Sequence, residues 1–82
     1  MKYFVLWSKE AERRLDEIWK KASDPTRILS AAVELEHRLR EDPRGEGESR
    51  DGSRRIAFEQ PLGITFRIVD RLTVMVLAVW EY

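Results

Sequence analysis

The stretch "LGITFRIVDRLTVMVLAVWEY" (residues 62–82) decides the fold. It holds two runs rich in β-branched and aromatic residues, 62–69 and 72–82. Only Asp70 and Arg71 separate the two runs, which is the loop length of a tight β-hairpin. A third run, "RRIAFE" (54–59), is joined to the first through Gln60-Pro61. The last run is apolar on both faces, which is typical of an interior strand whose second face is covered. These residues predict three consecutive antiparallel strands.

The N-terminal half predicts one strand and two helices. "KYFVLW" (2–7) has strand composition, and Ser8 stands at the N-cap position of a helix of about four turns. Asp24 as N-cap and Pro25 at the first helical position start a second helix, which Pro43 ends. Their connection is short, so we expect an antiparallel helical hairpin. The predicted apolar positions are Ala11, Leu15, Ile18, Trp19 and Ala22 in the first helix and Ile28, Ala32, Leu35 and Leu39 in the second.

The predicted order is β-α-α-β-β-β, in which a helical hairpin covers one face of a mainly antiparallel four-stranded sheet. This is an α+β fold, and residues 1–82 form one domain. "RGEGESRDGS" (44–53) is expected to be a solvated connection. Alternation predicts that Ile56, Phe58, Leu62, Ile64, Phe66, Ile68, Met75, Leu77 and Val79 face the helices. It places Arg55, Ala57, Glu59, Gly63, Thr65, Arg67, Val76, Ala78, Trp80 and Tyr82 on the opposite, open face.

Other side chains have simpler expected roles. Trp7 and Trp19 are predicted to lie in the core. Helix charges are predicted to form a solvated face with i, i+4 pairs; they are Glu12, Arg13, Asp16, Lys20, Glu34 and Arg38.

The composition excludes several classes of function. Fifteen Lys and Arg balance fifteen Asp and Glu, so there is no net charge to attract nucleic acid or a membrane surface. There is no cysteine and only one histidine, His37, so we expect neither a metal site nor a cofactor. No apolar run has a signal peptide's or a membrane helix's pattern, and we expect a cytoplasmic protein.

The chain resembles the RelE/ParE superfamily of type II toxin–antitoxin toxins, which includes plasmid stabilisation proteins. The likeness lies in "AERRLDEIW" (11–19), "GESRDGSRRI" (47–56), "ITFRIVD" (64–70) and "VMVLAVWEY" (74–82), and their order covers essentially the whole chain. The resemblance implies a growth-inhibiting toxin neutralised by a cognate antitoxin in a hetero-oligomer. Two activities occur in the superfamily: ParE-like members inhibit DNA gyrase, and RelE-like members cut mRNA within the ribosome.

The resemblance also suggests which residues would carry each activity. The nuclease chemistry requires basic side chains around the scissile phosphate and an acid/base group. Here Arg55, Arg67 and Tyr82 are the candidate catalytic residues. An arginine typical of the nuclease branch corresponds to Gly63, and a second one to about Tyr82, which disfavours catalysis.

We therefore predict a ParE-like toxin that binds a protein target, with DNA gyrase as the candidate. The alternatives are a ribosome-dependent mRNA endonuclease and a family member that has lost its toxicity. The candidate residues for binding the target or the antitoxin are Arg50, Arg54, Arg55, Arg67, Trp80 and Tyr82. Simpler roles remain open, since Arg54 and Arg55 could protect an edge strand and Arg67 could pair with Glu59. The antitoxin is expected to cover the open face, including Val76 and Ala78, and the helical hairpin.

Overall fold

The computed structural model describes residues 2–46, 48–51 and 53–82, and for 48–51 the backbone alone. The elements are β1 (Phe4–Trp7), α1 (Lys9–Lys21), α2 (Pro25–Glu41), a 3₁₀ turn (Pro43–Gly45), β2 (Glu48–Asp51), β3 (Arg54–Glu59), β4 (Leu62–Asp70) and β5 (Thr73–Glu81). The predicted order is confirmed, with one strand more than expected. No helix in the described part of the chain is long and apolar enough to cross a membrane.

The sheet has the strand order β1-β5-β4-β3-β2. β1 runs parallel to β5, and the other neighbours are antiparallel, so the prediction of a mainly antiparallel sheet is confirmed. β5 lies between β1 and β4, so it is an interior strand of the sheet, as predicted. The additional strand is β2, which pairs with β3. The expectation that 44–53 forms only a solvated connection is therefore wrong, and the outer edge of the sheet is β2 rather than β3.

Both helices begin at the predicted caps. The Ser8 Oγ accepts a hydrogen bond from the N–H of Ala11 (3.1 Å), and the Asp24 Oδ1 accepts one from the N–H of Arg27 (3.2 Å). Each cap satisfies a backbone donor that the first helical turn leaves without a partner. The Ser8 hydroxyl also donates to the Leu77 carbonyl (3.3 Å), which ties the start of α1 to β5.

The core lies between the helices and one face of the sheet. Its buried members are Ala11, Ile18, Ile28, Ala31, Ala32, Leu35, Leu39, Ala57, Leu62, Ile64, Phe66, Val74, Val76 and Val79. The predicted buried line of α2 is confirmed. Trp7 is partly buried against this core, whereas Trp19 is 38% exposed, so the prediction that Trp19 is a core residue is wrong.

The predicted strand faces hold for β4 and for Ala78, Val79 and Trp80 of β5, and they fail in β3 and in the first half of β5. In β3, Ala57 pairs with Ile64 and is buried, so Ala57 faces the helices while Ile56 and Phe58 lie on the open face. In β5, an irregularity shifts the pairing between Thr65–Ala78 and Phe66–Val76, so one extra residue is inserted. The bulge reverses the alternation in the first half of β5.

The bulge also overturns the prediction that a partner covers Val76. Val76 is fully buried under the helices, while Met75 lies on the open face. Ala78 lies on the open face as predicted.

Arg38 links α2 to two other parts of the fold. Its Nη1 lies 2.9 Å from Glu59 Oε1, its Nε lies 3.1 Å from Glu46 Oε1, and its Nη2 donates to the Phe58 carbonyl at 2.7 Å. The side chain is only 26% exposed. Arg38 is therefore a structural clamp and not the solvated charge that the sequence pattern predicted. It also occupies Glu59, so the predicted Arg67–Glu59 pair is wrong.

The turn between β4 and β5 is held by Asp70. Its Oδ1 accepts a hydrogen bond from the backbone N–H of Leu72 at 2.8 Å. That bond favours the carboxylate and lowers the pKa of Asp70 below its ordinary value.

Candidate functional site: the open face of the sheet

The open face, the side of the sheet away from the helices, carries more apolar surface than the sequence pattern predicted. Phe4 and Leu6 of β1 are 69% and 49% exposed, and Phe58 of β3 is 47% exposed. The registers place these residues on the same face as Met75 and Trp80. Several exposed apolar side chains on one face are typical of a surface that binds another macromolecule.

An aromatic cluster, consisting of Phe58, Trp80 and Tyr82, occupies one end of this face. The Phe58 ring meets Trp80 at a centroid distance of 6.2 Å and Tyr82 at 5.3 Å, both edge to face. The backbone N–H of Tyr82 donates to the Pro61 carbonyl at 2.9 Å, which fixes the chain end to the β3–β4 turn. The cluster thus presents aromatic side chains in a fixed arrangement, which is how interface anchors are usually held.

Gly63 provides the space for the Trp80 indole. The two residues are paired across β4 and β5, and a Cβ added at Gly63 would lie 2.6 Å from Trp80 Cε2 and 2.8 Å from Nε1. The indole therefore lies directly on the glycine backbone. Gly63 is also where the resemblance places an arginine of the nuclease branch. In this chain a tryptophan covers that position, and no side chain projects from it.

Arg54 and Arg67 form the basic part of the open face. They are paired in register across β3 and β4, and both side chains are exposed. Two like charges directly opposite each other repel, so this position favours a nearby anionic group. Arg67 is four residues from Gly63, a separation of about 13 Å along a strand. The arginine pair and the aromatic cluster are therefore separate regions of one surface.

Arg55 lies on the other side of the sheet. It pairs in register with Phe66, which is fully buried beneath the helices. Its guanidinium donates to the carbonyls of Arg44 (2.9 Å) and Glu46 (3.3 Å). Arg55 thus holds the turn after α2 against β3, and the prediction that it lies on the open face is wrong.

The structure does not bring the three candidate catalytic residues together. Arg55 faces the helical layer, whereas Arg67 and Tyr82 lie near opposite ends of the open face. Tyr82 follows Glu81, the partner of Leu62, and is therefore six residue steps, or about 20 Å along the strands, from Arg67. General acid–base catalysis needs its groups within hydrogen-bond reach of one substrate. Of the remaining candidates, Arg50 belongs to β2, and its side chain lies outside the described residues.

Sequence reasoning missed several residues of this face. The sequence pattern predicts that Phe58 faces the core, and it places Phe4 and Leu6 only in a strand. The alternation within "KYFVLW" was an available signal, because it separates Phe4 and Leu6 from Val5 and Trp7. Phe58 gave no such signal, since its face depends on the pairing with Gly63 across the hairpin.

The chain is similar to several solved structures. No protein-family model and no curated protein matches it. A chain of the toxin–antitoxin complex RelBE2 from Mycobacterium tuberculosis superposes with a TM-score of 0.77 at 28% identity, over 100% of both chains. A chain of the chromosomal ParDE toxin–antitoxin system of P. aeruginosa gives a TM-score of 0.75 at 21% identity, over 98% of this chain and 96% of that one. Because the identity to the ParDE chain is only 21%, this second similarity shows the fold alone.

A third structure contains a similar fold within a larger protein. TrmO from P. aeruginosa superposes with a TM-score of 0.67 at 25% identity. The match covers 99% of this chain but only 34% of the TrmO chain. The whole-chain matches to the two toxin–antitoxin structures are therefore the more informative ones.

Proposed function

This chain has the fold of the RelE/ParE superfamily, and from that premise we propose that it is the toxin of a type II toxin–antitoxin pair. It acts in the cytoplasm, inhibits growth by binding a protein target, and is neutralised by a cognate antitoxin in a hetero-oligomer. We propose DNA gyrase as the target, as in the ParE branch. The antitoxin covers the open face, with the aromatic cluster as its central contact.

The observation that carries this proposal is the separation of Arg55, Arg67 and Tyr82. A nuclease centre needs donors and an acid/base group around one phosphate, and these three side chains lie on two faces and at two ends of the sheet. The Trp80 indole also covers Gly63, where the nuclease branch has an arginine. The balanced charge supports the same reading, because binding to ribosomal RNA gains affinity from many basic contacts.

The second candidate function is mRNA cleavage within the ribosome. It is favoured by the full-length match to a chain of the RelBE2 complex, which has the higher identity of the two toxin–antitoxin matches. Arg67 and Arg54 would then hold phosphates on the open face, with Tyr82 as the acid/base.

Purified protein distinguishes the two functions. We expect the chain to inhibit supercoiling of relaxed plasmid by gyrase and to leave mRNA intact on programmed ribosomes. Cleavage of the mRNA, abolished by Arg67→Ala and by Tyr82→Phe, would establish the nuclease instead. Arg13→Ala, an exposed charge on α1, is the matched control. Arg55→Ala is a poor probe of catalysis, because Arg55 holds the turn after α2.

Trp80→Asp tests the binding surface. This change places a charge in the aromatic cluster, and we expect it to weaken binding of the antitoxin by at least tenfold, since aromatic anchors at an interface are worth about 2 kcal/mol or more. Unchanged binding, with the fold intact by circular dichroism, would remove the open face as the contact.

A further inference from the structure

A pocket lined by three arginines lies at the end of the sheet where the turn after α2 meets the β4–β5 turn. Arg44 comes from the turn after α2, Arg55 from β3 and Arg71 from the β4–β5 turn. We call it the arginine pocket. Its volume is about 370 Å³, at the small end of the range for ligand pockets. Arg55 faces it from the helical side of the sheet, so the pocket is separate from the open face.

The positive charge of the arginine pocket is not balanced within the described structure. Asp70 is the one carboxylate among the described residues that line it, and the Oδ1 of Asp70 already accepts a hydrogen bond from the Leu72 N–H at 2.8 Å. None of the three guanidinium groups forms an ion pair with a side chain that the structure describes. Three positive charges therefore face one negative charge. A concave site lined mainly by one sign of charge concentrates ions of the opposite sign.

Arg55 is the fixed member of the arginine pocket. Its Nε donates to the Glu46 carbonyl at 3.3 Å and its Nη2 to the Arg44 carbonyl at 2.9 Å, and the residue is half-buried. A guanidinium has more N–H donors than these two bonds use, so the Nη1 amino group remains available for a ligand. Because the two carbonyls already hold the side chain, Arg55 loses little conformational freedom when a ligand binds.

We propose that the arginine pocket binds the terminal phosphate of a small phosphorylated molecule, such as a nucleotide. A phosphomonoester carries a charge of about −1.5 to −2 at neutral pH, which matches the excess positive charge of the pocket. Its oxygens accept charge-assisted hydrogen bonds, and the planar fork of arginine fits phosphate geometry. The Ser53 hydroxyl also lines the pocket and supplies one further donor. A carboxylate or a phosphodiester, with a single charge, would leave part of the excess without a partner.

The remaining wall of the arginine pocket is apolar. Ile68 is partly buried against the core, and Val69 is 44% exposed. These side chains provide a contact for an apolar part of the ligand beside the phosphate. A nucleic-acid strand fits less well, because its successive phosphates need a basic surface that continues from the pocket. The other two basic side chains at this end, Arg54 and Arg67, lie on the open face instead.

The test is isothermal titration of the purified full chain with AMP, inorganic phosphate and 3′,5′-cyclic AMP. Cyclic AMP has the same base and sugar as AMP, but its phosphate is a singly charged diester. We expect AMP to bind about tenfold more tightly than cyclic AMP and about threefold more tightly than inorganic phosphate. Equal affinity for AMP and cyclic AMP, or no binding of AMP at millimolar concentration, would overturn the proposal. Inorganic phosphate that binds as tightly as AMP would assign the pocket to the free anion and overturn the assignment to a phosphorylated molecule.

Two variants and one control localise the binding. Arg44→Glu and Arg71→Glu change exposed side chains that make no hydrogen bond within the described structure, so the fold should be retained, as circular dichroism would show. Each removes one guanidinium and adds a carboxylate, and we expect the affinity for AMP to fall about tenfold or more. The matched control is Arg13→Glu, which makes the same change of charge on α1 and should alter the affinity by less than about twofold.

Affinity that falls as far in Arg13→Glu would show a general effect of charge, and affinity unchanged in both pocket variants would place the ligand elsewhere. Either result would overturn the proposal. A single-stranded oligonucleotide with a 5′-hydroxyl end carries phosphodiesters alone. If it binds more tightly than AMP and loses that binding in Arg71→Glu, the pocket belongs to a nucleic-acid backbone and the proposal fails. These measurements involve neither toxicity nor the antitoxin, so the proposal and the proposed function can fail separately.

Discussion

Replacing Gly63 by alanine tests the central packing feature of the open face. The added Cβ would lie 2.6 Å from Trp80 Cε2 and 2.8 Å from Cζ2, well inside van der Waals contact. Because Trp80 faces solvent on its outer side, the indole can relieve the clash by swinging away from β4. The indole then loses its contact with the Gly63 backbone and its edge-to-face contact with Phe58.

The magnitude follows from two opposing effects. If the indole stays in place, overpacking costs about 1–3 kcal/mol. If the indole swings away, the cost is the loss of its contacts, which is of similar size. Alanine is better than glycine in a strand by about 0.5–1 kcal/mol. We therefore expect Gly63→Ala to lower the free energy of unfolding by about 1–2 kcal/mol. In a Trp80→Ala background the clash is absent, and the same change should stabilise the protein by about 0.5–1 kcal/mol.

The measurement is urea and thermal unfolding of the four proteins in this double-mutant cycle, followed by circular dichroism. For a domain of this size, 1 kcal/mol corresponds to about 4–8 °C in Tm. The reversal of sign is the decisive result. If Gly63→Ala destabilises the protein equally with and without Trp80, the indole does not lie on Gly63, and the reasoning about this position is refuted.

Three further perturbations test the fold around the site. Ser8→Ala removes the N-cap of α1 and should cost about 1 kcal/mol in urea unfolding, whereas Ser30→Ala, at an exposed helix position, should stay within about 0.5 kcal/mol. Arg38→Ala should cost about 2 kcal/mol, because the charged hydrogen bonds of the clamp are lost together; a cost near zero would show that the clamp is unimportant. Asp70→Ala should reduce Tm at neutral pH, and the difference from the unmodified protein should shrink as the pH falls below the ordinary carboxyl value of 3.8. The difference shrinks because the folded protein stabilises only the ionised carboxylate of Asp70, and this stabilisation is lost when the group is protonated. A Tm difference that does not depend on pH would contradict the hydrogen bond from Leu72.

The helices and hairpins could be predicted because their signals are local. Ser8, Asp24 and Pro25 mark helix starts through their own backbone preferences, and the caps form as expected. The strand at 54–59 has the predicted bounds, since Gln60-Pro61 leaves little choice of turn. These features depend on a few neighbouring residues, so one sequence is enough.

The faces of β3 and β5 depend on pairing between strands. "RRIAFE" suggests that the large residues Ile56 and Phe58 are buried, yet the register with β4 places the small Ala57 beneath the helices. The bulge in β5 interrupts an otherwise regular alternation, and the uniformly apolar sequence around Leu77 gives no sign of it. β2 consists of polar residues and forms a strand only because β3 offers it an edge.

Only part of the candidate site could be predicted from the sequence, and the reasons are the same. Trp80, Tyr82 and Arg67 lie on the open face, as expected, because their positions follow from the alternation at the end of the sheet. Arg55 does not, since its face depends on the register of β3. Its carbonyl partners at Arg44 and Glu46 lie in the turn after α2, whose position near β3 no local pattern specifies.

The most direct test of the proposed function is pulse-labelling of DNA and protein synthesis in the first minutes after induced expression in a bacterial host. The proposed function predicts an early fall in DNA synthesis while translation continues. An early fall in protein synthesis, with transcripts cut within codons, would contradict it and establish the ribosome as the target. Unchanged growth and unchanged synthesis would contradict it as well, and would show that the toxin fold is present without toxicity.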